Sequence, residues 1–111
     1  MAENASSTLP LSVQRYVTAD MAEFERLLRL CEHNPACRVM TLCTTGRAAR
    51  CQRVHYRDVI LEFQYQLIKV PPAHGLTLSN LQVTIQGIAG SQADQMALLG
   101  TLDRLMQRGG G

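Results

Sequence analysis

The amino-acid sequence predicts a small α+β domain made of a helix, a three-stranded antiparallel sheet and a second helix, completed by homodimerisation. Three observations support this fold class. The run at 59–70 is rich in β-branched and aromatic side chains, the run at 76–88 alternates apolar and polar residues, and a segment on either side carries an apolar stripe at helical spacing. The run at 59–70 also fits helical spacing, so the alternative is a mostly α-helical bundle, and residues 47–70 are compatible with either strand or helix.

Length and composition indicate one globular domain. The chain has 111 residues, of which 46% are hydrophobic and 18% charged, and this balance is typical of a folded protein rather than a disordered one. We expect a flexible N-terminal lead-in over 1–14, one domain over 15–108 and a flexible glycine tail over 109–111. No run approaches the roughly 20 apolar residues that span a bilayer, and the first residues lack the basic and apolar regions of a secretory signal. We therefore expect a cytoplasmic protein.

The first helix is predicted from its cap and its stripe. Asp20 followed by Glu23 forms a capping box, and the apolar residues that recur at steps of three and four are Met21, Phe24, Leu27, Leu28 and Cys31. The helix should end at 33–34 because Pro35 disfavours helical geometry in the residue before it. The β-prone run at 38–44, closed by a glycine, predicts the first strand, whereas 47–57 has no clear pattern.

The second half of the chain gives clearer signals. The run at 59–70 ends at two prolines, and the Pro/Gly-containing segment that follows predicts a loop between two antiparallel strands. Ser91 should cap the last helix, with Asp94 at the third following position. The apolar stripe of that helix contains Met96, Leu99, Leu102, Leu105 and Met106.

Such a sheet, with two helices on one face, leaves its other face and at least one edge uncovered. Pairing with a second copy of the chain would cover them, which is why we expect a homodimer.

The sequence contains no recognisable catalytic motif. The four cysteines are separated by five, five and seven residues, a spacing that fits a zinc site poorly. Cys51, His55 and Asp58 have the residue types of a nucleophile, a base and an orienting group, but no known motif surrounds them. We expect neither an enzyme nor a bound metal or cofactor.

Two features are candidates for partner binding. The first is a basic stretch without Asp or Glu between His33 and Arg57, in which we single out Arg47, Arg50 and Arg53. It could bind phosphates, an acidic protein surface, or only solvent. The second is the stripe of the last helix, in particular Met96, Leu99, Leu102 and Met106. The formal net charge of +2 is too small to predict nucleic-acid binding by itself.

The lead-in Leu9-Pro10-Leu11-Ser12-Val13-Gln14-Arg15-Tyr16, the first helix and the cysteine-bearing middle resemble QslA-type anti-activators, small bacterial proteins of quorum sensing. The resemblance covers most of 9–108. It implies a repressor that binds the ligand-binding domain of a LuxR-type transcription factor and blocks its dimerisation and DNA binding. No contact residues can be transferred. The alternative function is a small nucleic-acid-binding regulator that uses the arginines.

Overall fold

A computed structural model of the chain describes residues 10–42, 49–69 and 79–110. Within these ranges the chain forms five strands, two α-helices and one short 3-10 helix. In chain order they are β1 (Ser12–Thr18), α1 (Met21–Leu28), the 3-10 helix (Arg29–His33), β2 (Cys37–Leu42), β3 (Ala49–Tyr56), β4 (Val59–Lys69), β5 (Ser79–Ala89) and α2 (Gln92–Gly110).

The five strands form one antiparallel sheet in the order β1-β5-β4-β3-β2. The two longest strands, β4 and β5, lie side by side near its middle. The first strand, β1, pairs with the last strand, β5, so β1 and β2 are the two edge strands of the sheet. A two-residue turn, Arg57–Asp58, joins β3 to β4.

The predicted three-stranded sheet is therefore wrong, and so is the alternative of a mostly helical bundle. Two strands were missed. In β1 every second residue is exposed and the residues between them are only half-buried. The sequence of this short edge strand therefore contains few of the apolar side chains that predict a strand. In β3 a glutamine, Gln52, occupies a buried position beside Val54, and the surrounding arginines conceal the apolar alternation.

The other elements confirm the sequence prediction. The Asp20 carboxylate accepts a hydrogen bond from the Glu23 amide at 2.8 Å, as a capping box requires. Helical structure ends at His33, although its last turn is 3-10 rather than α. The antiparallel pairing of β4 with β5 is as expected, and the Ser91 hydroxyl accepts from the Asp94 amide at the start of α2.

The ends of the domain differ from the predicted boundaries. The first strand begins at Ser12, inside the segment assigned to the lead-in, and α2 continues through Gly110, inside the segment assigned to the tail. Residues 1–9 and 111 lie outside the described residues.

Both helices pack on the same face of the sheet. Phe24 of α1 contacts the rings of Phe63 and Tyr65 in β4, and α2 contributes Leu98, Leu99 and Leu102 to the same core. The sheet side of that core is formed by residues with almost no exposed surface: Val54, Leu61, Phe63, Tyr65, Leu81, Val83 and Ile85. No described helix is long and apolar enough to cross a membrane.

Candidate protein-binding face

The opposite face of the sheet has no cover in the described ranges. Because successive strand residues point to opposite sides, the register assigns alternate residues of all five strands to it. We call this surface the open face. Its central and edge residues include Gln14, Tyr16, Arg38, Met40, Cys51, Arg53, Glu62, Gln64, Gln66, Gln82, Thr84 and Gln86.

The centre of the open face is polar but carries little net charge. Glu62 is the only carboxylate that the described strands place there, and its Oε1 accepts from Arg53 Nε at 2.9 Å. Its other oxygen accepts from the Gln64 amide at 2.8 Å. Burial favours a higher pKa for Glu62, but these hydrogen bonds and the Arg53 charge outweigh it and hold the pKa below the usual value. The carboxylate therefore stays ionised, and its charge is neutralised.

Large apolar side chains lie toward the margins of the open face. Tyr16 on β1 is 69% exposed, Met40 on β2 is 49% exposed and Ile88 on β5 is 42% exposed. A register shift pairs Ile60 with Ala89 and Leu61 with Gly87, so Ile88 has no partner and forms a bulge. The open face thus has side-chain amide groups at its centre and exposed apolar side chains at its margins.

The open face is large enough to supply more than half of a specific interface. Five strands about 4.8 Å apart and about seven residues long give a surface of roughly 20 Å by 23 Å. A standard protein–protein interface buries about 800 Å² on each partner. Most of such an interface would fit on this surface.

The predicted basic patch is divided between the two sides of the sheet. Arg50 and Arg53 are three residues apart in β3, and because successive strand residues alternate in side, they face opposite sides of the sheet. Arg50 lies on the helix side and pairs with Glu25 at 3.0 Å, whereas Arg53 lies on the open face and pairs with Glu62. Arg47 is outside the described residues. Arg50 and Arg53 do not form one phosphate-binding surface.

The predicted stripe of α2 mostly faces the core. Leu99 and Leu102 are 6% and 1% exposed, so the prediction that they contact a partner is corrected: they hold α2 on the sheet. Met106 is half-buried, and Met96 is the one residue of this predicted set whose apolar side chain is mostly exposed to solvent, at 57%. An amphipathic helix that packs on a sheet turns its apolar stripe toward the sheet, which explains why Leu99 and Leu102 are buried.

Cys51, His55 and Asp58 form no compact group. Cys51 and His55 are four residues apart on one strand, a separation of about 13 Å. Cys31 and Cys37 are buried, and burial raises the pKa of both thiols, so they are protonated at neutral pH. Cys43 is outside the described residues. Within the described part of the chain, no three His, Cys, Asp or Glu side chains are placed to hold a metal ion.

Sequence reasoning missed the exposed apolar residues of the open face. Tyr16 lies between the predicted lead-in, which ends at 14, and the first predicted helix, and Met40 lies in a predicted strand whose exposed side the sequence did not identify. The alternation in Ser12–Thr18 was the available signal, but it required a pairing partner, β5, that begins some sixty residues later.

Comparison of the chain with protein-family models, with curated proteins and with solved structures finds no match. Similarity to QslA-type anti-activators stays a prediction from the sequence.

Proposed function

We propose that the chain is a cytoplasmic protein-binding module that acts as an anti-activator of a LuxR-type transcription factor. The open face is the observation that carries this proposal, because a sheet face with little net charge at its centre and exposed apolar side chains at its margins offers a surface that a partner protein can cover. The resemblance of 9–108 to QslA-type proteins supplies the class of partner. The bound regulator would be unable to dimerise and therefore unable to bind DNA.

The composition of the open face suits a protein partner. Protein interfaces are enriched in aromatic residues, methionine and arginine and are depleted in lysine and carboxylates. Tyr16, Met40 and the paired Arg53 have the enriched types. The amides of Gln64, Gln82 and their neighbours can donate and accept hydrogen bonds, so they remain paired when the surface is desolvated.

The same surface accounts for the proposed homodimer. In the absence of a regulator, two copies would cover each other's open faces, and the regulator would compete with that contact. Sedimentation equilibrium should give the mass of two chains for the wild type and a shift toward one chain for Tyr16→Ala. A monomer at all concentrations would refute self-association but would leave binding to the regulator to be measured separately.

The decisive experiment is a titration of the purified chain against the ligand-binding domains of LuxR-type regulators. We expect binding that lowers the regulator's dimer content and its affinity for DNA. Tyr16→Ala removes an aromatic contact and Gln86→Arg places a charge in the open face. Each should weaken binding by about tenfold or more.

Met96→Ala is the matched control, because Met96 is also more than half exposed but lies on α2, on the other side of the sheet. It should bind like the wild type. Loss of binding in Met96→Ala alone would assign the contact to the helices instead of the open face. If the wild type binds none of the regulators and changes none of their DNA complexes, the proposed function is wrong.

A further inference from the structure

A cleft on the helix side of the sheet lies between β1, α1 and the C-terminal half of α2. Its volume is about 480 Å³. Phe24 and Phe63 line it with rings 6.4 Å apart, Ile85 lies beside them in the sheet, and Met106 closes it from α2. This surface belongs to neither the open face nor the interface proposed above.

The charges at this cleft cancel. Arg15 and Asp103 are its only charged lining residues in the described part of the chain, and they form an ion pair with Nη1 and Oδ1 2.5 Å apart. The pair joins β1 to α2 at the mouth of the cleft. A charged ligand would have to separate it or remain uncompensated beside an apolar wall, which is unfavourable. A neutral ligand can use the apolar lining and still meet polar groups at the mouth.

The size of the cleft selects a small molecule. Ligand pockets are typically about 300–1,000 Å³, and an apolar cavity of about 150 Å³ is enough to hold benzene. One turn of an α-helix, about 10 Å wide and about 5.4 Å long, already occupies roughly 400 Å³. The volume therefore suits a compact ring system or a short acyl chain better than a partner helix.

We propose that this cleft binds a neutral, lipophilic small molecule whose apolar body lies against Phe24 and Phe63 and whose polar end lies near Arg15 and Asp103. Binding would couple α2 to β1 and α1 through one shared ligand. The proposal does not depend on the proposed anti-activator function.

The test uses N-phenyl-1-naphthylamine, a neutral dye that becomes fluorescent in apolar surroundings, with the full chain. We expect saturable binding of one dye per chain. Met106→Trp fills the cleft from α2, and Val17→Phe fills it from β1, since Val17 also lines it. Each should raise the dissociation constant by about tenfold or more.

Two variants of the same helix are controls. Leu105→Trp projects into a separate cleft of about 460 Å³, next to Cys31 and Cys37, and Met96→Trp lies in solvent. Both should bind dye like the wild type, and thermal melts should show that all four variants are folded.

Amide chemical shifts of the wild-type chain provide a measurement that needs no variant. On titration with the dye, the largest changes should be at Thr18, Ala19 and Gln107, which line the cleft. The proposal is overturned if the wild type binds no dye saturably. It is equally overturned if Leu105→Trp weakens binding while Met106→Trp does not, or if the shift changes cluster at Asp58 and Ala97 of the other cleft.

Discussion

The contact between Gln95 and Gly87 gives the sharpest prediction about stability. Gln95 is 2% exposed. Its Oε1 accepts from the Leu11 amide at 3.0 Å, and its Nε2 donates to the carbonyls of Ala89 and Gly90 at 3.2 and 3.0 Å. One side chain thus fastens α2 to the end of β5 and to the residue before β1. It can do so only because Gly87 beneath it has no side chain.

Gly87→Ala should displace this glutamine. A Cβ at position 87 would lie 2.0 Å from Gln95 Oε1 and 2.3 Å from its Cδ, so the side chain must leave and lose its three hydrogen bonds. At about 1 kcal/mol for each bond the loss is about 3 kcal/mol, and the lower entropy of the unfolded alanine chain returns at most about 1 kcal/mol. The net cost is about 2–3 kcal/mol, a fall of roughly 10–15 °C in Tm.

Urea denaturation followed by circular dichroism measures this cost, and a double-mutant cycle tests its cause. Gln95→Ala alone should cost about 3 kcal/mol, and adding Gly87→Ala to it should cost little more, because the clash no longer exists. Gly100→Ala is the matched control: its Cβ would meet only Arg104 Nη1 at 3.9 Å, and helix propensity predicts a gain of up to about 1 kcal/mol. Additive costs in the cycle, or a Gly87→Ala cost below about 0.5 kcal/mol, would refute the reasoning.

Three further predictions concern the polar groups of the fold. The Tyr65 hydroxyl donates to Glu25 at 2.5 Å and accepts from Gln52 at 3.2 Å, so Tyr65→Phe should lower the free energy of unfolding by about 1–3 kcal/mol in urea denaturation, whereas an unchanged midpoint would contradict this role. Burial favours a higher pKa for Glu25 and Glu62, but hydrogen bonds and neighbouring arginines hold both pKa values below normal. The stabilisation that the two ionised carboxylates give the fold is complete above the pKa of an unfolded glutamate, about 4.3. It should be lost as the pH falls through their lower folded-state pKa values. Glu25→Gln should therefore reduce the fall in Tm that an acid titration measures. Arg57 has a φ of +55° at the first position of the β3–β4 turn, where glycine is favoured, so Arg57→Gly should raise the unfolding free energy by up to about 1 kcal/mol. The Arg57 guanidinium lies 5.1 Å from the centre of the Tyr56 ring, and a lower Tm of the variant would show that this contact is worth more than the strain.

Sequence reasoning found the elements that carry their own signal. The capping box at Asp20, the prolines after the central run and the stripe of α2 are all local, and each element lies where those signals place it. It missed β1 and β3 because their strand character depends on partners. β1 is stabilised by pairing with β5, far along the chain. β3 buries Gln52 because the Tyr65 hydroxyl accepts from its amide nitrogen and the Thr41 hydroxyl donates to its amide oxygen.

The candidate sites were less accessible to sequence reasoning for the same reason. The spacing of Leu99 and Leu102 identified an apolar stripe correctly, but a stripe does not say whether it faces a core or a partner. The arginines of β3 were close in sequence, and only the period of two in a strand separates Arg50 from Arg53. Both clefts are made by residues from distant segments, which no local pattern connects.

The sheet keeps the two proposed binding surfaces apart, and two neighbouring residues of β1 show how. Tyr16 is 69% exposed on the open face, whereas Val17 points to the helix side and lines the cleft. Tyr16→Ala should therefore weaken binding of the regulator and leave dye binding unchanged, and Val17→Phe should do the reverse. If each variant impaired both regulator binding and dye binding, each substitution would be disturbing β1 as a whole and not one of its two sides. The period of two in β1 would then not separate the surfaces, and the two proposals would no longer be independent.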